Sequence, residues 1–209
     1  MPEVVDCRDP RSRAPAVQRA ASAVRSGRLV VFPLEGGYAL GTDAFSEAGV
    51  AQLRRAKQMP TTTTMGVLVS RQATLDGIAR GITAAARMLV EAFWPGPLTL
   101  LVDPQPSLAW GLGSAAFAVR MPLHPLALQL GRAVGPMVFS GLASTVAPEQ
   151  PLNPDVAQHP WTVLDAGELP PAPPSTIVDV RSGRARLVRT GALSEELVRA
   201  VVPTLHVTP

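Results

Sequence analysis

The sequence predicts an α/β domain built on a mixed sheet with flanking helices. Short apolar runs of strand length, such as residues 29–32 and 98–102, alternate with segments of helical period along most of the chain. Late in the chain, a short turn joins two further apolar runs, 176–180 and 185–188, as in an antiparallel hairpin. Alternating strands and helices favour parallel pairing, and the hairpin adds antiparallel pairing, so we expect a mixed sheet.

The individual elements follow from periodicity and from helix-capping residues. Ser46 and Ser194 are typical N-caps, and Pro125 suits the first turn of a helix. Pro33 ends the first strand, and the glycines behind it predict a loop. The predicted helices are 12–28, 46–57, 74–82, 83–93, 125–134 and 194–201. The predicted strands are 29–32, 65–69, 98–102, 116–120, 137–140, 161–164, 176–180 and 185–188.

The chain length of 209 residues predicts one domain over residues 1–209, with a core over about 12–201. A hydrophobic content of 46% is enough for a sizeable core. Residues 147–174 hold eight of the 22 prolines and are therefore predicted to form a long surface loop with one short strand. No apolar stretch has membrane-spanning length, and we expect no membrane partner.

The composition excludes several kinds of site. Cys7 is the only cysteine, so an internal disulfide and a cysteine-based metal site are excluded. His124, His159 and His206 are far apart, and no metal site is predicted from them. The N-terminus lacks the apolar region of a signal peptide, and we expect a cytoplasmic location. The net charge of +3 permits an anionic ligand or RNA without requiring either.

The first candidate site is the segment 33–41, which follows a predicted strand. Ligands of α/β proteins bind where strands pass into loops, and glycines let a ligand approach the backbone. Glu35 and the only tyrosine, Tyr38, supply polar groups there. The alternative is an ordinary turn with a solvated Glu35, and spacing alone favours that turn.

Basic residues form the second set of candidates. Lys57 is the only lysine among 19 basic residues and ends a predicted helix, beside a threonine run at 61–64. It offers a mobile cation for phosphate or carboxylate, although a lysine also stabilises a helix C-terminus without any ligand. Arg189 has the strand parity of inward-facing residues and, like Arg120, is a candidate partner of an anion. An aromatic content of 4% argues against a protein that stacks single-stranded bases.

Six segments have an order and spacing that are specific when taken together: 33–41, 57–59, 94–100, 119–122, 175–179 and 187–191. They resemble the signatures of the YrdC-like family of threonylcarbamoyl-AMP synthases, over about residues 27–191. The resemblance implies a twisted mixed sheet around a concave, basic cavity. It also implies synthesis of threonylcarbamoyl-adenylate and pyrophosphate from ATP, L-threonine and bicarbonate, usually with Mg²⁺, for tRNA modification.

By the same resemblance, Lys57 is the expected catalytic residue. The expected nucleotide- and substrate-binding residues are Glu35, Tyr38, Arg120, Ser140, Ser175 and Arg189. No protein ligand to a metal is assigned. Cations and hydroxyls suit this chemistry, because an anionic carbamate must approach the α-phosphate of ATP.

The chain departs from the family signatures at five positions. Leu34 and Gly36 replace two threonines, Met59 replaces an arginine, and Gly141 and Ala143 replace the outer residues of a Ser-x-Asn motif. Each lost contact to a charged ligand costs roughly 2–4 kcal/mol. Two hypotheses follow. The chain is a threonylcarbamoyl-AMP synthase, or it is an impaired paralogue that binds a nucleotide or RNA, or that uses another acyl or amino-acid substrate.

Overall fold

The computed structural model describes residues 2–106, 116–142, 161–181 and 183–207. Within these ranges the helices are α1 (Pro10–Arg25), α2 (Glu47–Ala56), α3 (Thr74–Ile78), α4 (Ala84–Phe93), α5 (Pro125–Val134) and α6 (Glu195–Val201). The strands are β1 (Glu3–Asp6), β2 (Val30–Pro33), β3 (Tyr38–Asp43), β4 (Gly66–Leu68), β5 (Ala79–Arg80), β6 (Leu98–Pro104), β7 (Phe117–Arg120), β8 (Met137–Gly141), β9 (Thr162–Asp165), β10 (Thr176–Asp179), β11 (Arg186–Arg189) and β12 (His206–Val207).

The strands form one mixed sheet in the order β1-β9-β2-β3-β8-β4-β7-β6-β10-β11-β12, and β5 pairs with β6. Pairing is parallel in β9–β2, β4–β7 and β6–β10, and antiparallel in β2–β3, β3–β8 and β6–β7. The predicted α/β fold with a mixed sheet is therefore confirmed, including the late hairpin β10–β11.

Helices cover both faces of this sheet. In β2, Val30 and Phe32 contribute to a hydrophobic cluster with α1 and α5, whereas Val31 contributes to the cluster that includes α2, α4 and α6. This division follows from the period of two along a strand, which sends successive side chains to opposite faces. A strand buried on both sides is continuously apolar, as residues 29–32 are.

The predicted helix starts are confirmed where side chains cap them. Ser46 Oγ accepts a hydrogen bond from Gly49 N at 3.1 Å, and Ser194 caps α6 in the same way. Pro125 occupies the first turn of α5. Each cap satisfies a backbone N–H that has no partner within the helix. None of the described helices combines the length and apolar character needed to cross a bilayer.

Several elements differ from the sequence-based prediction. The predicted helix 74–82 ends at Ile78 and is followed by the unpredicted strand β5, and β12 was not predicted either. The glycine-rich stretch behind β2 was predicted as a loop, but from Tyr38 onward it forms β3. The N-terminal β1, which was not predicted, pairs in parallel with β9. The short strand predicted within the proline-rich segment exists as β9, but it lies between β1 and β2 in the sheet rather than at the surface. Of the rest of that predicted loop, residues 166–174 form neither helix nor strand, and residues 147–160 lie outside the described residues.

Candidate functional site

A cavity of about 190 Å³ opens where the β2–β3 turn, the ends of β7 and β8 and the start of β10 meet. Most of its lining residues have no hydrogen-bonding side chain. The lining consists of Leu34, Glu35, Gly36, Gly37, Tyr38, Arg120, Gly141, Ala172, Pro173, Pro174 and Ser175. Four of the predicted site residues, Glu35, Tyr38, Arg120 and Ser175, therefore lie around one cavity.

The β2–β3 turn carries Glu35 into this cavity. Leu34 N donates to Gly37 O at 2.8 Å, which closes the turn. Glu35 Oε2 lies 2.6 Å from Arg120 Nη2, and Glu35 Oε1 accepts a hydrogen bond from Leu123 N. The Glu35 and Arg120 side chains are only 21% and 13% exposed, so solvent screens this ion pair less than a surface pair. The turn with a solvated Glu35 is therefore not what forms here.

Arg120 stands at the end of β7, held from two sides. Its Nε donates to Gly96 O at 3.3 Å, and Gly96 N donates to Met121 O at 2.9 Å. Burial lowers the pKa of Arg120, Glu35 opposes this shift, and the nearby Arg189 adds to it. The Arg189 charge thus disfavours the charged form of Arg120, and an anion bound near both guanidinium groups would relieve that repulsion.

Ser175 and Arg189 form the opposite side of the site. Ser175 Oγ lies 2.8 Å from Thr99 Oγ1, and Arg189 Nη2 donates to Ser175 O at 2.8 Å. Arg189 was predicted to face inward, but its side chain is exposed, and a register shift in the β10–β11 pair changes the strand parity on which that prediction depended. Arg189 is thus an accessible cation at the cavity rim.

Lys57 is positioned by the way α2 ends. Gln58, with φ of 51°, adopts the left-handed conformation, and Met59 N donates to Arg54 O at 2.9 Å. Together with the Gln58 N to Arg55 O bond, this is a Schellman ending. Lys57 Nζ then donates to Gly141 O at 3.0 Å, and Gly141 lines the cavity. The lone lysine therefore reaches the same site.

Ser140 and Tyr38 present fewer polar groups to the cavity than the residues described so far. Ser140 is half-buried on β8, paired with Leu40 and adjacent to the cavity-lining Gly141. Tyr38 is buried, and its hydroxyl donates to Gly167 O at 2.7 Å and accepts from Ala166 N at 2.9 Å. Burial is the main cause that raises the pKa of Tyr38 to about 12. The Tyr38 hydroxyl therefore fixes the chain behind β9, and Tyr38 is also one of the residues that line the cavity.

The segment before Ser175 lies across the cavity, and we call residues 169–174 the strap. Leu169 is buried in the core at one end of it, and at the other end Ala192 N donates to Pro174 O at 2.9 Å. A Cβ placed on Gly36 would lie 2.8 Å from both the Cβ and the N of Ala172. The strap therefore occupies the space of a side chain at position 36.

The departures from the family signatures have structural counterparts. Leu34 belongs to the hydrophobic cluster beneath α1 and α5, and Met59 packs against the other cluster. Gly36 accommodates the strap, and Gly141 accepts the Lys57 hydrogen bond through its carbonyl. Ala143 lies outside the described residues.

The described residues do not fit a protein-held magnesium site. They contain no group of three or more His, Cys, Asp or Glu side chains that could hold a metal ion. Of the described cavity residues only Glu35 has a carboxylate, and Arg120 and Leu123 already bind it. Mg²⁺ in such a site would depend on the oxygens of a bound phosphate and on water.

Sequence reasoning missed Thr99 and Ala172. Thr99 lies inside the matching segment 94–100 and has an inward neighbour in Ser175, so its motif could have identified it. Ala172 carries no such signal, because only the path of the strap brings it to Gly36. In contrast, none of the threonines at 61–64, which follow Lys57 in the sequence, lines the cavity.

Comparison with known proteins establishes the family. Residues 22–191 match the profile of the Sua5, YciO and YrdC proteins, which carries the description "Telomere recombination". The chain belongs to the Sua5/YciO/YrdC family. The resemblance drawn from the six segments is thereby confirmed.

Several relatives of this Sua5/YciO/YrdC protein are named threonylcarbamoyl-AMP synthases. A provisionally named one from Mycobacterium tuberculosis is 40% identical, over 97% of this chain and 96% of its own. A second, from Pyrococcus abyssi, is 30% identical over 92% of this chain. The chain spans 59% of that second protein's length.

Solved structures of family members agree with the fold. Pyrococcus abyssi Sua5 complexed with L-threonine superposes with a TM-score of 0.83, at 28% identity over all of this chain and 63% of its own. Escherichia coli YciO superposes with a TM-score of 0.73 at 20% identity, over 95% of this chain and 98% of its own, which bears on the fold alone.

Proposed function

We propose that this protein binds ATP and L-threonine in the cavity described above and synthesises threonylcarbamoyl-adenylate. In the proposed reaction, the threonine amine and bicarbonate give a carbamate and water. A carbamate oxygen then bonds to the α-phosphorus of ATP, the bond to the bridging oxygen breaks, and pyrophosphate leaves. The names of the relatives and the L-threonine complex of Sua5 support this choice of substrates.

The observation that carries the proposal is the charge of the cavity. Arg120 lines it and is paired with Glu35. Lys57 and Arg189 each donate to the backbone carbonyl of a lining residue, Gly141 and Ser175, and Glu35 pairs with neither of them. Such an excess of positive charge favours anions, and the reaction must bring a carbamate and a triphosphate together. Arg120 and Arg189 would hold anionic oxygens, and Lys57 would lie beside the phosphate charge that develops as pyrophosphate leaves. Mg²⁺ is expected to enter with the nucleotide.

A second candidate is a protein that binds a nucleotide without synthase activity. It is favoured by one observation: positions 34, 36 and 141 offer no side-chain hydroxyl, and Ala172 fills the space at Gly36. Under this candidate, the cations retain an anionic ligand but the substrates are not aligned for reaction. Either function would fit a cytoplasmic protein of tRNA metabolism, and RNA would be a candidate partner of the second.

Pyrophosphate release separates the two candidates. The protein is incubated with ATP, L-threonine, bicarbonate and Mg²⁺, and the adenylate is identified by mass spectrometry. We expect release to depend on all three substrates, and Lys57→Ala to lower kcat by about 100-fold. Arg132→Ala is the matched control, because it removes an exposed cation from the last turn of α5.

Two results would change the conclusion. Release by the unaltered protein no faster than by Lys57→Ala would refute the synthase. ATP binding by calorimetry under the same conditions, weakened by Arg189→Ala, would then support the nucleotide-binding protein.

A further inference from the structure

The strap is held at both ends, so that it forms a fixed wall of the cavity. On its N-terminal side, the Tyr38 hydroxyl binds the backbone of Ala166 and Gly167. On its C-terminal side, a Cβ on Gly191 would lie 2.1 Å from Pro174 O, so the two backbones are in close contact. With both ends held by backbone contacts, the position of Ala172 over the cavity is determined by the fold.

Gly36 is the residue of the β2–β3 turn against which the strap packs. Its φ lies outside the left-handed region, so its backbone conformation does not itself require glycine. The requirement comes from Ala172, whose Cβ and N would each lie 2.8 Å from a Cβ at position 36. Ala172 thus takes the place of a side chain on the β2–β3 turn.

The resulting wall has no side-chain hydrogen-bonding group. Leu34, Gly36, Ala172, Pro173 and Pro174 are all without one. A ligand hydroxyl turned toward these residues would find no side-chain partner on them, whereas a methyl group would gain by leaving water.

The hydroxyls beside this wall are already engaged. That of Tyr38 serves Ala166 and Gly167, and that of Ser175 lies within 2.8 Å of Thr99 Oγ1 and 3.4 Å of Arg189 Nη2. Among the described residues, both hydroxyls beside the wall already have protein partners before a ligand enters.

We propose that Gly36 and Ala172 determine specificity and that the amino-acid part of the site takes a small apolar side chain. L-Valine has the shape of L-threonine with a methyl group in place of the hydroxyl. It binds this protein about as well as L-threonine does. The proposal rests on the proposed function, since it concerns the amino acid of that same site. A wall without side-chain hydrogen-bonding groups discriminates only weakly between a hydroxyl and a methyl group, unlike a site built to bind the hydroxyl.

Calorimetry with the full chain tests this directly. L-Threonine and L-valine are titrated separately, each in the presence of ATP. We expect the Kd of L-valine to be equal to or below about three times that of L-threonine. A larger preference for L-threonine, or no binding of either amino acid, overturns the proposal.

A variant adds the missing group without changing the fold. Ala172→Ser places a hydroxyl on the exposed strap, and we expect the ratio of affinities to shift toward L-threonine by about three- to tenfold. Pro171→Ser is the control, because Pro171 belongs to the strap but does not line the cavity. An equal shift in both variants, or none in Ala172→Ser, contradicts a role of this position in specificity.

Pyrophosphate release is also measured with each amino acid. It distinguishes a failure of this specificity proposal from a failure of the proposed synthase function. Binding of L-valine without release for either amino acid refutes the synthase and leaves the specificity of the wall supported. Release that depends on L-threonine, with L-valine bound more than about three times more weakly, supports the synthase and refutes the specificity.

Discussion

Gly36 and Gly191 are required by their neighbours rather than by their own conformation. Neither has a φ in the left-handed region, yet each lies against backbone atoms of the segment 172–175. At Gly191 the obstruction is the Pro174 carbonyl, which also accepts a hydrogen bond from Ala192 N. A backbone atom held in this way cannot move aside as a flexible side chain can.

Gly191→Ala is therefore expected to lower the free energy of unfolding by about 1–3 kcal/mol, the range of an overpacked core. Urea denaturation measures it. The control is Gly77→Ala, where no heavy atom lies within 4 Å of the added Cβ and the residue is exposed in α3. There we expect a gain of about 0.5–1 kcal/mol from helix propensity. Equal effects of the two changes would rule out steric conflict as the cause.

At this scale the sequence identified residues with local signatures. Glu35, Arg120 and Ser175 lie in short motifs, and the structure places them around one cavity. Ala172 lies in a proline-rich stretch where composition predicts only irregular structure. Its contact with Gly36 joins residues far apart in the chain, and the hydrophobic periodicity of a sequence does not predict such contacts.

Among the elements, α5 begins with a residue that links its stability to pH. His124 precedes Pro125, and its Nδ1 accepts a hydrogen bond from Leu126 N at 3.3 Å. Only the neutral imidazole has a free nitrogen lone pair for this bond. Burial lowers the pKa of His124, Glu35 opposes the shift, and Arg13 adds to it.

Protonation of His124 should consequently destabilise the folded protein. Its pKa is lower in the folded chain than in the unfolded chain, so the unfolded chain binds more protons as pH falls through about 6.5. We expect the free energy of unfolding to fall from about pH 7.5 to about pH 5.5 more in the unaltered protein than in His124→Asn, which keeps a capping acceptor. Urea denaturation at both pH values measures the difference, and parallel pH dependences would contradict it.

The elements that the sequence missed have physical reasons. In β3, Gly41 was interpreted as part of a loop, but a Cβ there would lie 2.6 Å from Val138 O of the neighbouring strand. A glycine in this strand thus allows two backbones to pack closely. The sequence alone does not distinguish such a glycine from one that forms a turn. The strand β1 has four residues and mostly exposed side chains, so it lacks the apolar pattern of a buried strand.

On the scale of the whole molecule, the sheet is continuous from β1 to β12. Residues from the N-terminal strands and from α6 share one hydrophobic cluster, with Val31 near one end of the chain and Val198 near the other. The sequence predicted this fold class because the class depends on the order of periodic segments, which a few misassigned boundaries do not change.

A single cooperative unfolding transition is expected, because no part of the described sheet has a core of its own. Far-ultraviolet circular dichroism reports the sheet and helices, and fluorescence reports the buried Trp94 and Trp161. The two denaturation curves should coincide within error. Separate midpoints would show that the predicted single domain over residues 1–209 consists of independent units.

The position of Tyr38 has a practical consequence. The chain has one tyrosine, so its ring gives one set of resonances when tyrosine alone is isotopically labelled. Tyr38 lines the cavity, and its hydroxyl is hydrogen-bonded to the chain just ahead of the strap. A nuclear magnetic resonance spectrum with this single labelled residue therefore needs no assignment. The binding of ATP, L-threonine and L-valine can each be followed by the same signal, from a residue beside the wall.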